Sequence, residues 1–181
     1  CSKFIKDFSG ADYIVAPSAS CVGFVRNYYT KLFDNSSVHN DVKDLGNRLF
    51  EFSEFLVKVM GVEDVGATLE GKATYHDSCA GLRECHIKEE PRKLLAKVAG
   101  LELTEMNDVE TCCGFGGTFA VKFEPISIAM ADQKVTNALA TKADYIISTD
   151  MSCLMHIDGY IKNKNANIQT MHLADVLASG W

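Results

Sequence analysis

Residues 143–153, ADYIISTDMSC, repeat residues 11–21, ADYIVAPSASC, without a gap. Ala11, Asp12, Tyr13, Ile14, Ser20 and Cys21 return as Ala143, Asp144, Tyr145, Ile146, Ser152 and Cys153, at a constant offset of 132 residues. Each copy reads as a short apolar, β-branched strand, a tight turn and a helix that opens beside a cysteine. The likeness resumes where residues 50–56, FEFSEFL, parallel residues 171–177, MHLADVL, at an offset of 121, so the first copy holds 11 extra residues, placed within 31–46. Offsets of this size indicate duplicated domains and not a short solenoid repeat.

The second copy traces back to a start near Lys72, and about half of the first copy then has no counterpart in the chain. The sequence therefore reads as the C-terminal piece of a longer protein. Residues 1–60 form the last part of a first repeat, 61–71 a linker with three glycines and three acidic residues, and 72–181 a complete second repeat. An incomplete first sheet leaves an unpaired edge and uncovered apolar surface, so the fragment is expected either to self-associate or to shelter its first-copy elements against the second copy.

Strands are expected at 13–16, 49–52, 73–76, 101–106, 145–148 and 168–171. Ser53 should cap a short helix through Met60. Further helices are expected over 21–33, 91–98, about 118–141 with a break at Pro125, from Ser152, and over 174–178. Strands alternating with helices specify an α/β fold with parallel sheets and flanking helices, in tandem domains of which the first is incomplete. In such a sheet the loops at the strand C-termini meet along one edge. Cys79, Cys112, Cys113 and Cys153 all lie in loops of that kind.

With 18 basic and 24 acidic residues and a net charge of −6, the chain lacks the basic stripe that a phosphate backbone demands, which argues against a nucleic-acid partner. No apolar run has the length of a membrane span. Seven cysteines clustered beside glycines and strand ends differ from a secreted disulfide scaffold and suit metal or redox chemistry in a reducing cytoplasm. Cys1 and Cys85 stand outside the repeated frame. The Gly116-Gly117 pair lacks the rest of a dinucleotide fingerprint, and His76 and His156, each three residues from a cysteine, are left out of the metal set.

The second copy runs Cys79, thirty-two residues, Cys112-Cys113-Gly114, thirty-five residues, then Asp150-Met151-Ser152-Cys153. This resembles the cysteine-rich CCG domain, whose pattern is Cys, a spacer, CCG, a second spacer and CxxC. That domain is found in the cysteine-rich subunit of heterodisulfide reductase and in the iron-sulfur subunits of glycolate and glycerol-3-phosphate dehydrogenases. The phrases GVEDVGATL, CCGFGGTFAVK, DMSCLMHI and MHLADVL are most similar to the lactate-utilisation protein A branch.

The resemblance implies an iron-sulfur cluster of 4Fe-4S type, ligated by Cys79, Cys112, Cys113 and Cys153. Cys21 and Asp150 are weaker candidates, Asp150 and Ser18 standing where the pattern has the first cysteine of CxxC. Thiolates are the soft donors such clusters need, and two adjacent cysteines reach separate irons more easily than two corners of one small ion, which favours a cluster over the alternative, a structural zinc site. Gly114, Gly116 and Gly117 are expected to let backbone amides approach the cofactor.

The implied function is that of an electron-transfer subunit, not a catalyst alone, in a complex oxidising L-lactate to pyruvate. Its partners would be ferredoxin-like and flavin- or substrate-binding subunits. Glycolate or glycerol-3-phosphate oxidation, and a zinc-holding docking protein, are the alternatives.

Overall fold

The computed structural model describes residues 1–180. Helix α1 (Ser2–Phe8), for which the sequence carries no clear periodic signal, buries Ile5 and leads into β1 (Ile14–Ala16). Pro17 ends that strand, since its ring removes the N–H that a further ladder bond needs. Helix α2 (Ala19–Leu32) starts at Ser18, whose hydroxyl accepts the Cys21 N–H. Helix α3 (His39–Asn47) takes up most of the stretch where extra residues are expected, and β2 (Leu49–Glu51) returns to pair in parallel with β1.

Helix α4 (Phe52–Glu54) then runs into one π-helical turn at Phe55–Val59. Its cap is Glu51 and not the expected Ser53. The Glu51 carboxylate accepts from the Ser53 N–H at 2.8 Å and the Glu54 N–H at 3.3 Å, and the negative charge suits the positive end of the helix.

The larger sheet contains β3 (Thr68–Tyr75), followed by a π-helical turn at Ala80–Glu84, α5 (Glu89–Leu95) and β4 (Ala99–Leu103). Helices α6 (Thr118–Lys122) and α7 (Glu124–Ala140) come next, then β5 (Tyr145–Ser148), α8 (Met151–Lys164), β6 (Gln169–His172) and α9 (Leu173–Leu177). The break between α6 and α7 falls at Phe123. Pro125 lies in the first turn of α7, where a missing N–H costs nothing. All strands of this sheet are parallel, in the order β4-β3-β5-β6.

Strand β3 begins at Thr68, earlier than the expected Ala73, because Gly71 is part of it. A Cβ there would stand 3.0 Å from both Asp144 and Tyr145, so the glycine permits a close strand approach that composition reads as linker.

Both faces of the sheet are covered, which is why Tyr145-Ile146-Ile147 is a continuous apolar run and not an alternating one. Ile147 packs with Ala73, Tyr75, Leu94, Leu95, Leu173 and Val176 beneath α5 and α9. Ile146 faces the other way, onto Val135, Ala138, Ile157 and Ile161 of α7 and α8. A third cluster joins Ile14, Val22, Val42, Leu45 and Leu49 to Cys85 and Ile87, so α2 and the Ala80–Glu84 turn share a core.

The pairs Ile14↔Leu49, Val15↔Phe50 and Ala16↔Glu51 fall, under the two sequence offsets, on Ile146↔Thr170, Ile147↔Met171 and Ser148↔His172, which also pair. The caps correspond as well: Ser18 with Asp150, and Glu51 with His172, which accepts the Ala174 N–H on Nδ1 at 3.1 Å. No described helix is long and apolar enough to cross a membrane.

Candidate metal centre

Strands β4, β3 and β5 end side by side, and the chain beyond each delivers one part of the centre. After β3 come His76, Asp77, Ser78 and Cys79. The His76 N–H donates to Ile147 O at 2.8 Å and its carbonyl accepts from Ser148 Oγ at 2.9 Å, so the segment is fixed to β5. Asp77 is buried and receives both Arg92 terminal nitrogens, Nη1 to Oδ1 at 3.0 Å and Nη2 to Oδ2 at 2.9 Å. Such a fork constrains orientation as well as position. The guanidinium also lies 4.9 Å over the Tyr75 ring and bonds Glu105. Ser78 Oγ accepts the Gly81 N–H, closing the turn that carries Cys79.

The loop after β4 is tethered from α7. Lys134 is almost wholly buried, and its Nζ donates to Asp108 O at 2.6 Å and Val109 O at 3.1 Å. Asn137 donates to Asn107 O at 3.0 Å. These bonds set the approach to Cys112 and Cys113. At Gly114 the chain turns with φ of +94°, and a Cβ would meet Ser127 O at 2.7 Å and Met130 at 2.9 Å. The Gly114 N–H points at Cys112 Sγ, 3.4 Å away, while Ser127 Oγ donates to the Gly114 carbonyl at 2.8 Å.

After β5, buried Asp150 caps α8. Its Oδ1 accepts from the Ser152 N–H and hydroxyl, and its Oδ2 accepts the Ser20 N–H at 3.1 Å, so the starts of α2 and α8 face each other. Cys153 lies in the first turn of α8.

The four thiols of the second copy form a continuous chain of contacts: Cys79 with Cys112, Cys112 with Cys113, and Cys113 with Cys153. Among these sulfurs, Cys112 is the one at which the surroundings favour negative charge. Donation from the Cys113 and Cys79 S–H groups, with the Gly114 N–H, holds it far below the ordinary thiol range, at about 2. Its two donors shift the other way, since each would lose that bond on ionising, and burial adds to the effect. Cys113 and Cys153 are buried, whereas Cys79 and Cys112 are partly open to solvent.

His76 joins this group. One of its ring nitrogens and the Cys113 and Cys153 sulfurs all lie within 4.8 Å of one another. Burial, and then the nearby Lys134 charge, push the imidazole down to about 3, which keeps it neutral. Soft sulfur donors and a neutral imidazole converging on one spot form a donor set that fits a metal ion or an iron-sulfur cluster.

The remaining residues that the sequence reading weighed, some as candidates and Cys85 and His156 as ones set aside, have the following surroundings. Cys21 is exposed in the first turn of α2. A Cβ on Gly116 would meet Phe119 at 2.9 Å, and one on Gly117 meets nothing within 4 Å. Cys85 is buried between α2 and the Ala80–Glu84 turn, its thiol donating to Ala19 O at 3.3 Å, and burial raises it to about 12. His156 bonds Ser127 Oγ at 3.2 Å. Sequence reasoning set His76 aside and did not find Asp77, Arg92 or Lys134. The only signal available for Arg92 and Asp77 was their opposite charge, since they are far apart in sequence, and Lys134 looked like an ordinary polar position of a helix.

Gly114→Ala should cost about 3 kcal/mol or more, because it combines a strained backbone with a clash against a carbonyl that cannot move without α7. Gly159→Ala, in open space on α8, should instead add about 0.5–1 kcal/mol. Urea unfolding of the two variants checks this pair, and equal midpoints would show that Gly114 is not under that constraint.

The residues that build the centre fall inside a match to a known family. The model of the cysteine-rich domain CCG matches residues 73–158. Over 179 residues the chain is 45% identical to lactate utilization protein A 2 of Bacillus cereus strain 03BB102, covering 98% of this chain and 74% of that protein. It is 44% identical over 179 residues to lactate utilization protein A 1 of Bacillus anthracis. Lactate utilization protein A of Bacillus subtilis strain 168 is 43% identical over 177 residues, with the same coverage of both chains. On this extended likeness, and on the CCG frame at its centre, the chain belongs to the lactate utilization protein A family of cysteine-rich proteins.

Proposed function

We propose that the protein is an iron-sulfur electron-transfer component of a complex that oxidises L-lactate to pyruvate in the cytoplasm, with a 4Fe-4S cluster on Cys79, Cys112, Cys113 and Cys153. The observation that carries this reading is the chain of four thiols assembled by three neighbouring strand ends. The names of the relatives supply the substrate. When bound, such a cluster accepts and passes on single electrons.

The protein's own residues prepare the site. Arg92 and Asp77 hold the Cys79 segment rigid. Lys134 tethers the Cys112-Cys113 loop and sets a buried positive charge beside anionic sulfur, which favours the charged centre. Cys79 and Cys112 form its more open side, where a redox partner comes nearest. No Rossmann or flavin motif is present in the sequence, so a flavin- or substrate-binding partner removes the two electrons and two protons of lactate, and a ferredoxin-like subunit completes the relay. The shared strand register and caps support reading the chain as two copies of one unit, residues 1–60 and 72–181, with the last four residues of the expected linker 61–71 taken into β3. Cys21 and Asp150 then mark the equivalent helix starts.

The test is a redox titration of the full chain, reconstituted anaerobically with iron and sulfide. Visible absorption should bleach on reduction with dithionite and return on reoxidation. A bound centre that does not change oxidation state would exclude electron transfer. A zinc docking site is the second reading, favoured by the tight grouping of His76, Cys113 and Cys153.

Loading should depend steeply on pH. Cys79 and Cys113, both raised chiefly by donation to Cys112, must give up their protons on binding. The metal-bound state holds fewer protons, so acid favours the empty chain. Each proton released lowers the apparent affinity about tenfold per pH unit of acidification, so release from Cys79 and Cys113 alone gives at least about 100-fold. Chelator competition across neutral pH measures the slope, and a flat profile would mean that these thiols do not ligate.

A further inference from the structure

We propose that His76 is itself a ligand of the centre, supplying a ring nitrogen beside the Cys113 and Cys153 sulfurs, so that the site has mixed nitrogen and sulfur ligation. This rests on the metal-site reading above and extends its ligand set.

His76 has 0% of its surface exposed, and neither Nδ1 nor Nε2 has a hydrogen-bond partner. A buried imidazole carries one donor and one acceptor, and each left unpaired costs about 1–3 kcal/mol. Folded proteins rarely accept this twice on one ring unless something binds there. Among the described residues, no other histidine has both ring nitrogens buried and unpartnered. His172 uses Nδ1 as a helix cap, and His156 is paired with Ser127.

The position agrees with the chemistry. Metal–nitrogen bonds of about 2.0 Å and metal–sulfur bonds of about 2.3 Å in a tetrahedral site put neighbouring donors about 3.5–3.8 Å apart. The donor atoms of His76, Cys113 and Cys153 all lie within 4.8 Å of one another, so a shift of about 1 Å or less brings all three onto one ion. The segment that carries the ring is fixed in place: the His76 backbone is pinned to Ile147 and Ser148, and the next residue is held by Arg92. The other non-sulfur candidate, Asp150, already accepts three hydrogen bonds, from the Ser152 N–H and hydroxyl and from the Ser20 N–H.

The experiment uses the full chain labelled with ¹⁵N-histidine, reconstituted anaerobically with iron and sulfide, reduced with dithionite and examined by pulsed electron paramagnetic resonance. A directly bonded ¹⁵N coupling is expected. It should disappear in His76→Cys, which keeps its iron because thiolate is an equally competent donor, and whose midpoint potential falls because imidazole ligation raises the potential of such centres. His76→Leu should lose iron severalfold while retaining the circular dichroism of the parent. An iron-loaded parent without nitrogen coupling, or a coupling that survives in His76→Cys, overturns the proposal while leaving the iron-sulfur reading intact. A chain that refuses iron fails the iron-sulfur reading instead. Zinc addition followed by ring ¹⁵N chemical shifts then decides: a metal-bound shift of the His76 nitrogen supports its role, and an unmoved resonance overturns it.

Discussion

Cys153→Ser should lower retention of reconstituted iron by more than about tenfold, while Cys85→Ser retains the parental amount. The two substitutions are chemically identical and both thiols are buried, so the difference between them lies in place alone. Cys153 contacts Cys113 in the sulfur chain and shares the His76 spot. A serine hydroxyl there is a harder donor with a much less acidic proton, poorly matched to iron in a sulfide cluster. Cys85 is remote from that chain and donates to Ala19 O, a bond that a serine hydroxyl reproduces, so its replacement should cost only about 1 kcal/mol. Iron and sulfide analysis after gel filtration compares the two. Equal losses would mean that the ligand set has been drawn wrongly.

Arg92→Met should destabilise the metal-free chain by about 3–5 kcal/mol, the largest effect expected from any residue outside the sulfur group. The change leaves Asp77, whose side chain is 1% exposed, as an uncompensated buried carboxylate, and it also removes the bonds to Glu105 and Lys88 O. Methionine replaces much of the packing against Tyr75, which isolates the charge effect from a cavity effect. Because Asp77 lies two residues before Cys79, the loosened segment should also take up iron less completely. Asp77→Asn in the same background should recover part of the stability by removing the orphaned charge. Urea denaturation of the single and double variants checks this, and a single-variant loss below about 1 kcal/mol would show that the pair is effectively solvated.

Much of this architecture is legible in the chain. A parallel sheet buried on both faces leaves a strong local signal, and runs such as Tyr145-Ile146-Ile147 ended by turns placed the strands to within a few residues. The rule that parallel strands gather their following loops at one edge was enough to expect Cys79, Cys112, Cys113 and Cys153 together. What escaped was long-range and electrostatic. Gly71 reads as linker until the neighbouring Asp144 and Tyr145 explain why a strand needs it. Glu51 replaces Ser53 as a cap because an acidic side chain happens to precede the helix by one residue. Arg92, Asp77 and Lys134 matter through partners 15 to 26 residues away, a distance at which no local pattern operates. His76 was set aside on the general ground that lone histidines are seldom ligands. The burial of its ring without a partner, a property of the folded chain, is what motivates the proposal that it ligates.

The most direct test of a cluster on these thiols is metal and sulfide analysis, with the visible spectrum, of the full chain reconstituted anaerobically with iron, sulfide and an equal concentration of zinc. The expected product is a brown protein carrying iron and inorganic sulfide in equal amounts, with broad absorption near 400 nm that is typical of thiolate-bound clusters, on the order of four irons per chain. A colourless chain holding one zinc and refusing iron would contradict it.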